Sequence, residues 1–192
     1  MFKKYKGKNV LIVGLGKTGF ALINFFNQIQ CNIHVTDIKP IFDLNKEVKK
    51  LKKIEPKPEM TLGEHKEADF INADIIVYSP AINPKMPQLE RARQAGKEVY
   101  SEFSFCAKFC DKPIIAVGGS KGRTTIAHMI GFMIKNDKKN VFVGGTDDNS
   151  FINYFTHPEK DEMEYVVVEV SPRELQTVEK FKPHLAVIPN LE

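Results

Sequence analysis

The sequence holds no tryptophan and only three cysteines, Cys31, Cys106 and Cys110, in 192 residues. So sparse and odd a count excludes a disulfide framework and points to a reducing compartment. No apolar run approaches the length that spans a membrane, and the opening MFKKYKGKN is polar, without the form of a signal peptide. The expectation is a cytoplasmic protein with no membrane partner. Charge of one sign is also missing. Against 24 acidic residues stand 28 lysines and arginines, and a net charge of +4 is too balanced to argue for nucleic acid. The lysines of NKEVKKLKKIEPKPE alternate with acids, which reads as a solvated helix and loop. Internal repeats and low-complexity tracts are absent too. What remains, at 42% hydrophobic residues, suffices to bury a core in one or two domains.

The first informative stretch is NVLIVGLGKTGFALINFF, Asn9 to Phe26. Val10 to Val13 form an apolar, β-branched run, the mark of a buried strand. Gly14, Gly16 and Gly19 follow as a literal G-x-G-x-x-G. Leu22, Phe25, Phe26 and Ile29 then recur at helical spacing. A strand, a glycine turn and a helix aim free N–H groups and a positive dipole end at an anion. A second strand, NIHVTD, ends at Asp37, where an acid of this spacing grips a ribose hydroxyl in dinucleotide folds. The residues alone leave two readings open: a nucleotide ligand, or tight strand–helix packing with none.

Beyond Asp37, strands alternate with helices. A charged helix is expected near Leu44 to Lys53, an extended piece around Met60, a strand at ADIIVYSP, a helix at PQLERARQAG and a short strand at EVYS. Pro87 opens that helix and Gly96 follows its end. Such alternation predicts a parallel sheet with helices on both faces. SEFSFCAKFC reads as a helix with Cys106 and Cys110 at i, i+4. No histidine lies nearby to complete a metal site, so two buried, reduced thiols are expected. At DKPIIAVGGSKGRTTIAHMIGFMIK the pattern restarts: Ile114 to Val117 as strand, Gly118 to Arg123 as a second glycine loop, a helix from about Thr124 to Lys135. Strands NVFV, YVVVEV and LAVI follow, with SPRELQTVEKF expected as a helix between the last two.

The octet GGSKGRTT decides between ligands. A P-loop needs main-chain N–H groups around phosphate, a lysine on the β and γ oxygens and a hydroxyl for Mg²⁺. Gly122 and Thr124 meet the pattern, but Arg123 stands at the lysine and Val117 at the first glycine. At this point the chain resembles the ATP-dependent muramyl ligases of peptidoglycan synthesis, and among them the D-glutamate-adding enzymes. GSKGRTT resembles their G-[ST]-N-G-K-[ST]-T loop, departing at Lys121 and Arg123. YKGKNVLIVGLGKTG resembles their opening strand and loop, DIIVYSPAI their D-x-[IV]-[IV]-x-S-P-G-[IV], VVVEVSPRELQ their V-x-E-x-S-S-F-Q-L, and AVIPNLE the start of their I-x-N-[IV]-T-x-D-H. Five motifs in order and register cover the whole chain.

The resemblance implies an α/β chain: a Rossmann-like UDP-sugar-binding domain over residues 1–101, then a partial P-loop ATP-binding domain over 102–192. The first loop would hold the diphosphate of a UDP-sugar through Gly14, Leu15, Gly16, Lys17 and Thr18. Asp37 and Lys39 would lie near uracil, and Ser79 and Thr146 would face substrate. Gly119, Ser120, Lys121, Gly122, Arg123, Thr124 and Thr125 would cradle ATP. Thr124 and Glu169 would hold Mg²⁺, a hard cation that prefers oxygen, and with Arg123 would form the catalytic set. Read without the resemblance, Glu169 is a strand-end carboxylate facing solvent. In the family ATP phosphorylates the carboxylate of UDP-N-acetylmuramoyl-L-alanine, and the D-glutamate amine attacks the acyl phosphate.

The departures cluster on ligand loops. Arg123 replaces a compact ammonium by a planar fork, Lys121 replaces an asparagine, SPA stands for S-P-G, VGGTDDN for G-G-N-I-G, and SPREL for S-S-F-Q-L. The family's D-H and its later domains would follow Glu192. The expectation is therefore a chain that binds nucleotide but does not catalyse alone. Two rivals are an NAD-dependent oxidoreductase using Gly14, Gly16, Gly19 and Asp37, and a non-catalytic nucleotide-sensing or scaffold protein.

Overall fold

Asn9–Val13 (β1) is apolar from Val10 onward, and Val10 to Val13 are all buried, as a strand covered on both faces requires. In this computed structural model, which describes residues 1–178 and 180–190, β1 is the centre of the first of two units, Met1–Glu102. The chain continues through Lys17–Gln28 (α1), Asn32–Asp37 (β2), Asn45–Leu51 (α2), Glu59–Leu62 (β3), Glu67–Asn72 (α3), Ile75–Tyr78 (β4), Pro87–Gln94 (α4) and Glu98–Ser101 (β5). The five strands pair in parallel in the order β3-β2-β1-β4-β5. The order reverses at β1. β2 and β3 build out on one side, β4 and β5 on the other, and the crevice at the carboxyl ends of β1 and β4 is where such sheets take ligands.

Helix α1 buries Leu22, Phe25 and Phe26 as its spacing predicts, and Ala21 and Ile23 as well. On another part of the sheet, Leu11, Val13, Ile76 and Tyr78 pack with Phe70 of α3 and Leu89 and Ala92 of α4. Helix α3 had no sequence expectation. EADFIN is mostly polar, and only Phe70 of it is buried, so it carries no apolar period to read.

The second unit, Phe103–Glu192, takes in most of Glu102–Phe109 (α5), then Ile114–Val117 (β6), Arg123–Asn136 (α6), Val141–Gly144 (β7), Tyr165–Glu169 (β8), Pro172–Leu175 (α7) and Leu185–Val187 (β9). Its sheet is also parallel, in the order β7-β8-β6-β9. The core against α6 comprises Ile115, Val117, Ala127, Val141 and Val167. Gly131 lets α6 approach closely, since a Cβ there would run into Val143.

One expectation fails. The helix read across SPRELQTVEKF is a single turn, Pro172–Leu175. Ser171 and Glu174 start it with a reciprocal capping box. The Thr177 hydroxyl then donates to the Glu174 carbonyl at 2.7 Å, a local alternative to continued helix. Glu179 of that stretch lies outside the described residues. Among the described residues, no helix is long and apolar enough to cross a membrane.

Gly19 tests how tightly the first loop is built. A Cβ at Gly19 would overlap the Gly14 carbonyl oxygen, a main-chain atom that cannot swing away, whereas Gly16 borders open space. Gly19→Ala is expected to cost about 1–3 kcal/mol, and Gly16→Ala no more than about 1 kcal/mol. Urea unfolding of both variants measures the difference, and equal costs would contradict the packing described.

Candidate functional site

In the first unit the chain leaves β1 through Gly14, whose φ of +100° is left-handed territory that glycine alone enters at little cost. The Gly14 amide donates to the Thr36 carbonyl at 2.8 Å, and the Ser79 hydroxyl donates to the Gly14 carbonyl at 3.3 Å. The next amide, Leu15 N, donates to Asp37 Oδ2 at 2.7 Å, and Lys39 N donates to Asp37 Oδ1 at 2.9 Å. Asp37 Oδ2 thus pins the loop to the end of β2, while Oδ1 closes a local turn onto Lys39. Gly16 caps α1, and no side chain caps that terminus. The positive end of a 12-residue helix opens beside the crevice. Parallel pairing therefore gathers Gly14, Leu15, Gly16, Lys17, Thr18, Asp37, Lys39 and Ser79 at the carboxyl ends of β1, β2 and β4.

A cavity of about 510 Å³ lies at the other end of this sheet, lined by Asn9, His34, Glu59 and Asp69 among others. It is at the amino ends of β1 and β2, away from the edge where open parallel sheets bind their ligands.

In the second unit, β6 and β8 pair with Val117 opposite Glu169. That register sets the Glu169 carboxylate beside the start of the second glycine loop. Gly119 has φ +111°, and a Cβ there would press on Asn190. Three donors, Ser120 N at 2.8 Å, Ser120 Oγ at 2.8 Å and Lys121 N at 3.2 Å, converge on Asn190 Oδ1, while Asn190 Nδ2 donates to the Lys121 carbonyl at 3.0 Å. The loop is thus shaped around a single acceptor oxygen. Gly122 caps the 14-residue α6, again without a side-chain cap.

Arg123, the first residue of α6, turns back across the loop. Its Nε donates to Glu169 Oε1 at 2.9 Å and its Nη1 to the Gly119 carbonyl at 2.6 Å. Thr124 Oγ1 donates to Glu169 Oε2 at 2.6 Å. Thr125 is exposed beside it on α6. Thr146 is buried, and its hydroxyl accepts from Asn149 N at 3.2 Å within its own turn. That turn abuts β8, because a Cβ on Gly145 would collide with the Glu169 main chain.

Sequence reading missed Asn190 and Glu174. Asn190 lies in the AVIPNLE motif, but its contact with Ser120 spans 70 residues. Glu174 is a half-buried carboxyl whose pKa is raised, first by desolvation, with the nearby Glu169 charge adding and its bonds to Ser171 opposing. Among the described residues, no group of three or more His, Cys, Asp and Glu is placed to hold a metal ion. Cys106 is buried as expected, but Cys110 is only half-buried, with its thiol on the Lys112 carbonyl and its pKa pushed up to about 11 by burial. Burial likewise pushes Cys31 up to about 11.

Residues 8–101 match the family described as Mur ligase MurD-like, N-terminal domain, and residues 117–192 match the Mur ligase middle domain. The chain is 34% identical over 185 residues to the UDP-N-acetylmuramoylalanine–D-glutamate ligase of Geobacter metallireducens, covering 96% of this chain and 40% of that protein. It is 36% identical over 186 residues to the ligase of the same name from Desulfatibacillum aliphaticivorans, covering 97% and 40%. It thus spans about 40% of the length of these curated relatives. Among solved structures, UDP-N-acetylmuramate:L-alanyl-gamma-D-glutamyl-meso-diaminopimelate ligase from Neisseria meningitides superposes with a TM-score of 0.60 at 18% identity, over 97% of this chain and 61% of that one. UDP-N-acetylmuramate-alanine ligase from Thermotoga maritima gives 0.57 at 21%, over 96% and 42%. At those identities the likeness is one of fold.

The raised pKa of Glu174 has a consequence for stability. Folding favours the protonated carboxyl, so this stabilisation is complete below the usual glutamate value of about 4.3 and is lost as pH rises through the higher folded-state value. Glu174→Gln keeps an acceptor for Ser171 N. It is expected to stabilise the second unit at about pH 8 and to leave it unchanged at about pH 4. Urea unfolding followed through NMR resonances of residues 103–190 reads the effect. A variant less stable at the higher pH would mean that the charged cap outweighs its burial.

Proposed function

Because the chain belongs to the Mur ligase family, we propose that its first unit binds the diphosphate of a UDP-sugar and its second the phosphates of ATP. The whole enzyme of which these two domains are characteristic would join D-glutamate to UDP-N-acetylmuramoyl-L-alanine in the cytoplasm. The observation that carries the reading is the convergence of Ser120 N, Ser120 Oγ and Lys121 N on one acceptor oxygen, at the mouth of α6 and beside Glu169. Donors preset around one oxygen suit a phosphate oxygen, which would bring full negative charge to them and to the helix dipole.

A carboxylate is a poor electrophile until one oxygen leaves as phosphate. ATP supplies that activation, and the ligase would then pass the acyl group to an amine. In this scheme the second loop holds and orients the nucleotide, and Arg123 lies across it as a cation for charge on the transferring phosphoryl. The first loop and the α1 terminus fix the UDP portion, so that the acyl end of the substrate is positioned by binding energy from its remote end.

The family implies Mg²⁺ as well, with Thr124 and Glu169 as its ligands. Their arrangement here does not fit a divalent ion. Glu169 has one oxygen on Arg123 and the other on the Thr124 hydroxyl, so its single negative charge is already paired by a fixed cation that would repel a second. With that pairing in place the 192-residue chain is expected to form no ADP from ATP, D-glutamate and UDP-N-acetylmuramoyl-L-alanine.

The nicotinamide reading is disfavoured by the family matches. UDP is expected to bind the chain at least about tenfold more tightly than NAD(H), with chemical-shift changes confined to Gly14–Gly19, Asp37 and Ser79. Micromolar NAD binding with no response to UDP would overturn the assignment. A coupled assay for ADP tests the second expectation; turnover above blank that Glu169→Ala abolishes would contradict it.

A further inference from the structure

We propose that Arg123 is the resident counter-cation of the second loop, so that this chain binds nucleotide phosphate there without a divalent ion. The inference rests on the reading of that loop as a nucleotide site and goes beyond it by removing the metal.

Three features carry it. The first is where the guanidinium sits. It joins the start of α6 to the end of β8 and to the glycine loop, through Nε to Glu169 and Nη1 to the Gly119 carbonyl. Both side chains are largely shielded, at 22% and 13% exposure, so water screens the pair less than it would on the surface.

The second is charge. One carboxylate meets one guanidinium, and the Thr124 hydroxyl donates to the same carboxylate at 2.6 Å. A divalent ion drawn to Thr124 and Glu169 would meet a neutral pair with a permanent cation 2.9 Å from the carboxylate. Arginine cannot lose its proton to make room, and its planar fork fixes the directions of its donors, whereas the three donors of an ammonium rotate freely.

The third is what remains for phosphate. Two directions of the fork face Glu169 and the carbonyl of Gly119, in the loop whose amides gather on Asn190 Oδ1. By cancelling the Glu169 charge, Arg123 removes the repulsion that a bare carboxylate would exert on phosphate, which Mg²⁺ would otherwise have to offset, and it leaves the preset donors of the loop to hold the anion.

The test uses the 192-residue chain and two readouts. A fluorescent ATP analogue is titrated with excess EDTA and with Mg²⁺. Wild type is expected to differ by less than about twofold between the two conditions, and Arg123→Lys, which releases the fork's hold on Glu169, to bind about tenfold tighter with Mg²⁺. Arg123→Met, carrying no cation, is expected to lose binding in EDTA. Separately, Mn²⁺ alone is added to the isotope-labelled chain. Wild type should show no paramagnetic broadening at the Thr124 and Glu169 amides, and Arg123→Lys should show it. Tenfold Mg²⁺ dependence in wild type, or Mn²⁺ broadening at those two amides, would overturn the proposal. Absence of nucleotide binding in both wild type and Arg123→Lys would overturn the nucleotide reading itself, and the Mn²⁺ arm would still decide whether Glu169 accepts a metal.

Discussion

Parallel pairing of strands governs where everything functional in this chain can be. A parallel sheet sends every strand's carboxyl end to the same edge, and each right-handed crossover returns the next strand in the same direction. Ser79 can therefore reach the Gly14 carbonyl across 65 residues, and Glu169 can meet Arg123 across 46. Were the register of β6 and β8 shifted by one residue, Glu169 would turn to the other face of the sheet, and Arg123 would be left without its acid. The strands that enforce this are buried on both faces. Val10 to Val13 and Val166 to Val168 are closed to solvent, so hydrophobic burial rather than loop chemistry sets the geometry of both sites.

Much of that framework was legible. Short β-branched runs bounded by glycine or proline mark β1, β4, β6 and β8, and the glycine spacing after β1 and β6 marks the two loops. Legibility stopped where tertiary context decides. Helix α3 exists because Phe70 alone has a place in the core. The stretch after Ser171 has helical spacing, yet Thr177 diverts the carbonyl that would have continued it.

The candidate site was legible by residue and illegible by contact. Arg123, Thr124 and Glu169 could each be named from motif resemblance, but that they close on one another follows only from the register of β6 and β8. Asn190 carries the loop's amides, and its role needed the return of the chain through β9. Asp37, expected to grip a ribose or lie near uracil, also accepts from the Leu15 and Lys39 amides, a contact that motif spacing does not show.

The two loops solve the same problem with different chemistry. In both, an uncapped helix terminus and exposed amides would be costly to leave unsatisfied. The first loop satisfies Leu15 N with a carboxylate; the second satisfies Ser120 N and Lys121 N with a neutral amide oxygen. A hydrogen bond to an ionised acceptor is roughly twice as strong as one between neutral groups. Asp37 is thus a permanent staple, and a ligand of the first loop must use the α1 terminus beside it rather than the Leu15 amide. Asn190 is the weaker partner. An arriving phosphate oxygen would offer the same three donors a better acceptor, so the exchange runs in favour of the ligand. Under the proposed reading, the second loop would give up its internal partner on binding and the first would keep it.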